Sequence, residues 1–143
     1  MKNNNKGFSL LELLIVVAII LIIATIAIPS LLRSRQAANE SAAVANIRTI
    51  NTAEVTYLSS SGGNYGSMLA MISAKLLDDT FTATKAGYNY SVVATGADYT
   101  VTAFPASTNT GRYGYYSTPD AVVRYWTDAS LAPSAAQAGR SVQ

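Results

Sequence analysis

Glu12 is the single ionisable side chain in an apolar run that extends from Phe8 to Leu32. Placing a carboxylate in such a segment within a membrane costs on the order of 2–3 kcal/mol or more, so a compensating partner is expected. The chemistry that this residue offers is ionic pairing in surroundings of low polarity. The chain contains no Cys and no His, which removes the thiol nucleophile and the commonest general base and metal ligand. The sequence therefore predicts no catalytic residue, no metal site and no cofactor, and we expect a protein that is not an enzyme.

The apolar run is long enough to cross a membrane, since about 20 apolar residues in a helix span the hydrocarbon core. A basic leader, MKNNNKG, precedes it. A secretory signal peptide would have a shorter apolar region and a small-residue cleavage site, and both features are missing here. An ordinary membrane anchor leaves Glu12 unexplained, and Arg33 and Arg35 beyond the run weaken the charge bias expected of such an anchor.

A third interpretation accounts for the residues at the start of the run, which read KGFSLLEL from Lys6 to Leu13. This order closely resembles the processing motif of type IV prepilins and type II secretion pseudopilins. The resemblance implies that a prepilin peptidase cleaves between Gly7 and Phe8 and methylates the new amino group of Phe8. It also places Glu12 at the fifth position of the mature chain, and Pro29 where the family often has a helix-bending proline.

The physical chemistry of the run is consistent with this resemblance. After cleavage, Glu12 lies about one helical turn from the amino group of Phe8. In a bundle of such helices the carboxylate of one subunit can meet the amine of its neighbour, so that each charge offsets the burial cost of the other. We therefore expect the pair to set the stagger between helices. Pro29 removes one helical hydrogen bond; the helix could end at Ile28, but a kink or local melting is favoured because the helical pattern resumes afterwards.

The whole pattern predicts an α+β fold, in which a long N-terminal helix packs on a small antiparallel β-meander of about four strands. The helix is expected from about Phe8 to Leu58, with an amphipathic second half. A short helix capped by Ser67 is expected in residues 67–77. Alternation of period two predicts hairpins from residues 87–94 with 99–104, and 112–117 with 121–126. One sheet face must pack on the amphipathic half of the helix, because a meander of this size cannot otherwise bury its apolar face.

Three segments are predicted: a leader at 1–7 that is removed, a transmembrane and filament-core helix at 8–35, and a globular head at 36–143. Lys2 and Lys6 of the leader account for the formal net charge of +2, so the remainder is neutral. A neutral head argues against specific nucleic-acid binding, which needs a basic face. The nine tyrosines suit half-buried strands and subunit interfaces. The sequence has no compact Asp-rich loop of the kind that would indicate a calcium site.

The predicted function is that of a structural subunit of a type IV pilus, with the major pilin as the favoured role. The resemblance implies a homo-oligomeric helical filament, and it implies prepilin peptidase and the inner-membrane assembly platform as partners. It also implies residence in the bacterial inner membrane before assembly and in an extracellular filament afterwards. One alternative is a pseudopilin of a type II secretion system. An alternative of another class is a monomeric membrane-anchored binding domain, which predicts no cleavage after Gly7 and no filament.

Overall fold

A single long helix, α1, forms the N-terminal part of the chain. The structure, a computed structural model, describes residues 7–127 and 140–142. Helix α1 spans Leu10–Ser60, within two residues of the predicted bounds at each end. It ends before Gly62 and Gly63, which both adopt the positive φ angles that glycine tolerates best.

Pro29 lies inside α1, and the helix continues through it. The alternative of a helix end at Ile28 is therefore wrong. Proline has no amide hydrogen, so the carbonyl of Thr25, four residues earlier, loses its usual helical donor. The hydroxyl of Thr25 donates a hydrogen bond to the carbonyl of Ile22 at 2.8 Å. A kink at Pro29 stays a prediction.

The chain divides between Ser34 and Arg35 into two compact units. In the N-terminal unit, the apolar side chains of α1 are exposed almost throughout. By length and composition this part of α1 is suited to cross a membrane. The C-terminal unit contains the second part of α1 and all the remaining elements, and we call it the head.

The head has an antiparallel sheet in which each strand pairs with the next along the chain. The α+β fold and the two hairpins are confirmed, with Ala94 opposite Tyr99 in the first hairpin and Gly114 opposite Trp126 in the second. A fifth strand was not predicted, because two residues are too few to show alternation. After α1 the elements are α2 (Met68–Ser73), a 3₁₀ turn (Asp79–Thr82), β1 (Tyr88–Ala94), β2 (Tyr99–Pro105), β3 (Gly114–Ser117), β4 (Arg124–Trp126) and β5 (Arg140–Ser141).

Three elements of the head are at least two residues shorter than the sequence predicts; one of them is β3, which begins at Gly114 rather than at residue 112. Ser67 caps α2 as expected, with its side chain accepting a hydrogen bond from the amide of Ala70, but the helix ends at Ser73 rather than near residue 77. Lys75 has a φ of +61°, which is incompatible with a continuing right-handed helix. Ala121 has a φ of +58°, and β4 begins only at Arg124. Neither of these two positive φ angles occurs at a glycine, so the sequence gives little indication that α2 ends early or that β4 begins late.

The core of the head lies between α1 and the sheet, as predicted. Ala43, Ile47 and Ile50 of α1 are completely buried. On β2, residues Tyr99, Val101 and Ala103 are buried while the residues between them are half-buried, so the predicted alternation is confirmed. The same helix also buries four polar side chains: Gln36, Glu40, Asn51 and Glu54.

Candidate functional site

The predicted processing and pairing residues lie at the start of α1: Gly7 and Phe8 precede the helix, and Glu12 is in its first turn. The amide of Ser9 donates to Oε2 of Glu12 at 2.9 Å, and the amide of Leu13 donates to the carbonyl of Ser9 at 3.2 Å. Ser9 therefore precedes the helix as its N-cap, and Glu12, three residues later, satisfies the cap amide as in a capping box. The carboxylate also lies where the helix dipole favours negative charge. The spacing Ser-x-x-Glu was the sequence signal for this contact, and the prediction above did not use it.

The surroundings of this turn are open. Phe8 is 83% exposed, and a Cβ placed on Gly7 would meet no atom within 4 Å. The Gly7–Phe8 bond is therefore accessible from outside the chain. Within the described residues, no Lys or Arg forms an ion pair with Glu12. Pro29, the remaining predicted site residue, lies farther along α1 and is not part of this group.

A second polar group lies in the head, where α1 holds the connection between β2 and β3. Gln36 and Asn39 donate from their side-chain amides to the carbonyls of Thr108 and Thr110, each at 2.9 Å. Glu40 accepts from the backbone amide of Arg112 at 2.9 Å and from its guanidinium at 3.1 and 2.9 Å. These bonds attach the connection to the helix, which is a structural role.

A third polar group centres on Asn51. Its side-chain amide donates to Oγ of Ser117 at 2.8 Å, and its oxygen accepts from the hydroxyl of Tyr99 at 3.1 Å. Burial raises the pKa of Tyr99 well above its ordinary value, so the phenol stays protonated and can donate. The group therefore binds α1 to both β2 and β3.

The tyrosines near the end of the chain pack on one another. The rings of Tyr113 and Tyr125 meet edge to face at 5.4 Å and border a groove of about 400 Å³ that Tyr115 and Val142 also line. None of the described residues that line the groove carries a carboxylate. In the part of the chain that the structure describes, no three His, Cys, Asp or Glu residues lie together as a metal site would need.

Comparison with known proteins shows which family the chain resembles. Residues 2–28 match the model of the prokaryotic N-terminal methylation motif, which places the chain among proteins that carry this motif. The type IV wide pilus major component PilA4 of Thermus thermophilus is 35% identical over 95 residues, which cover 66% of this chain and 69% of that protein. The type IV major pilin protein PilA of Myxococcus xanthus is 44% identical over 55 residues, or 38% of this chain and 25% of that protein. The chain belongs to the type IV pilin family.

Proposed function

We propose that this chain is a structural subunit of a type IV pilus, in the role of major pilin, and that it assembles with copies of itself into a helical filament. The observation that carries the proposal is the exposed apolar surface of α1 from Leu10 to Leu32. A helix that is apolar all round needs surroundings without water. The inner membrane provides them before assembly, and the helices of neighbouring subunits provide them in the filament. Two relatives are named as major components of type IV pili, which supports this role.

Processing prepares the helix for this change of surroundings. In the proposal, prepilin peptidase cleaves the accessible Gly7–Phe8 bond and methylates the amine of Phe8. The hydrogen bond from Ser9 uses Oε2 of Glu12, which leaves Oε1 available to the amine of a neighbouring subunit. An assembly platform in the inner membrane then transfers the subunit to the filament. The protein thus acts by assembly and not as an enzyme.

The experiment that tests the proposal measures processing and assembly separately. In surface filaments sheared from cells, we expect the intact mass of a chain that lacks residues 1–7 and carries one added methyl group. Glu12→Gln keeps an oxygen that can accept from Ser9 but removes the charge. We expect it to be processed normally and to give at least about tenfold fewer filaments, because a tenfold change needs only about 1.4 kcal/mol. Asp79→Asn, which removes an exposed carboxylate of the head, is the matched control and should assemble normally.

Each alternative predicts a different result. A mass that includes residues 1–7 would contradict the pilin role and support a membrane-anchored binding domain. Recovery of processed protein only in a periplasmic complex, with no surface filaments, would favour a pseudopilin of a type II secretion system. Normal filament yield from Glu12→Gln would rule out the charge pair while leaving the pilin role in place.

A further inference from the structure

Glu54 is a carboxylic acid in the interior of the head, and its side chain is fully buried. Its Oε2 accepts a hydrogen bond from the amide of Gly66 at 2.9 Å. Its Oε1 has no hydrogen-bond partner among the residues that the structure describes. A carboxyl group in such surroundings is far easier to accommodate when it is neutral, because ionisation would place a charge where neither water nor a cation can stabilise it.

The neighbouring titratable groups supply no positive charge. Tyr99 of β2 faces Glu54, and Tyr65 and Asp120 lie close to Tyr99 in turn. Two of these groups are phenols and one is an acid, and no described Lys or Arg forms an ion pair with Glu54. Burial accordingly raises the pKa of Glu54, although the hydrogen bond from Gly66 opposes part of this effect.

Glu54 also holds a defined segment, residues 61–66, which lies between the end of α1 and Ser67, the cap residue of α2. Gly66 lies against the ring of Tyr57 so closely that a Cβ there would be 2.8 Å from ring carbons. At the other side of the segment, the amide of Tyr65 donates to the carbonyl of Gly96 at 2.8 Å. The carboxyl of Glu54 thus accepts the hydrogen bond that ties the amide of Gly66 to α1, beside the packing of Gly66 on the ring of Tyr57.

We propose that Glu54 is a protonation switch for residues 61–66: its neutral carboxyl holds the segment closed on α1, and release of its proton to solvent favours the open segment. The switch uses no group of the processing site. It therefore operates in the free subunit and does not depend on the assembly role proposed above.

The direction of the effect follows from the charge state in each form. Below the ordinary pKa of 4.5 the carboxyl is neutral whether the segment is closed or open. Between that value and the raised pKa of the closed form, the open form alone is ionised, so the opening equilibrium grows by up to about tenfold per pH unit. Once the pH has passed the raised pKa, both forms are ionised and no further opening occurs. The stability of the closed segment is therefore full at low pH and is lost as the pH rises through this window.

Native-state hydrogen exchange on the full chain in detergent micelles tests the switch. The readout is the protection of the Gly66 amide between pH 4 and pH 8, corrected for the intrinsic pH dependence of exchange. In the wild type we expect this protection to fall by up to about tenfold per pH unit and then level off. Glu54→Gln imitates the neutral acid and should give protection that does not depend on pH. Asp79→Asn removes an exposed carboxylate that takes no part in the hydrogen bond to Gly66 and should behave as the wild type does.

The same experiment can overturn the proposal in two ways. Constant protection of Gly66 in the wild type would do so, as would an unchanged pH dependence in Glu54→Gln. Should that variant fail to fold, the carboxyl ¹³C shift of Glu54 in the wild type reports its protonation directly. A titration midpoint above 4.5 that coincides with the end of the Gly66 transition supports the switch, and a midpoint at or below 4.5 refutes it.

Discussion

The hydrogen bonds of Asn51 allow a quantitative test of how the head is attached to α1. Asn51, Tyr99 and Ser117 are at most 4% exposed, and Asn51 binds both of the others. A buried polar group that loses its hydrogen-bond partner destabilises the fold, because water cannot reach the group to replace that partner. The effect of each substitution therefore depends on how many groups it leaves unpaired.

The expected magnitudes follow from that count. Tyr99→Phe removes one hydroxyl and leaves the side-chain oxygen of Asn51 without this donor, which should lower the free energy of unfolding by about 1–3 kcal/mol. Asn51→Ala deprives both hydroxyls of a partner and leaves a small cavity, so we expect a loss of about 2–4 kcal/mol. In the double variant the shared bond is lost only once. The two effects should therefore fall short of additivity by about 1 kcal/mol.

The assay is reversible unfolding of the full chain in detergent micelles, followed by near-ultraviolet circular dichroism, which reports tertiary packing of the head. Tyr65→Phe is the matched control, since the Tyr65 ring lies 4.6 Å from that of Tyr99 but its hydroxyl takes no part in the network. We expect this control to change stability by less than about 0.5 kcal/mol. Effects of Asn51→Ala and Tyr99→Phe that add to within about 0.3 kcal/mol would refute the network as described.

Three further changes in stability should be measurable by thermal unfolding. Ala86 has a φ of +51° in a two-residue turn, so Ala86→Asn should raise stability by about 0.5–1 kcal/mol, and an unchanged or lower Tm would contradict this. Gly111→Ala would place a Cβ in steric conflict with the hydroxyl of Tyr88 and should cost about 1–3 kcal/mol, whereas a wild-type Tm would show that this contact relaxes freely. Ser67→Ala removes the cap of α2 and should cost about 1 kcal/mol, with faster amide exchange in that helix; unaltered exchange would argue against the cap.

The parts of the fold that sequence analysis predicted are those encoded by local periodicity. The segment from Leu10 to Ser60 is rich in apolar and small residues and contains no glycine and one proline, so it specifies a helix without reference to the rest of the chain. The alternation in β1 and β2 specifies the first hairpin in the same local way. The processing motif is local too, because it depends on the order of a few consecutive residues.

The polar contacts of α1 could not be predicted in this way. Gln36 and Asn51 bind partners that lie 72 and 66 residues away in the chain, and no periodic pattern specifies such pairs. Glu54 lies four residues after Ile50, at the spacing that puts both on the core side of the helix. The donor that meets it, however, is a backbone amide, and a backbone amide leaves no trace in the sequence. A buried carboxylic acid at a core position was itself the available signal, since such a group needs either a partner or a proton.

Glu12 shows how the local and the long-range contributions combine. Its spacing from Ser9 lets it accept from the amide of that N-cap residue in the isolated chain, while its place in an apolar run favours the positive charge that we propose a neighbouring subunit supplies. These two roles are compatible, because the cap uses one carboxylate oxygen and leaves the other available. The cap also restricts the orientation of the side chain before any partner arrives, so that less conformational entropy is lost on pairing. Glu12 makes membrane insertion less favourable, but its own helix thus holds it in position for the contact that we propose in the filament.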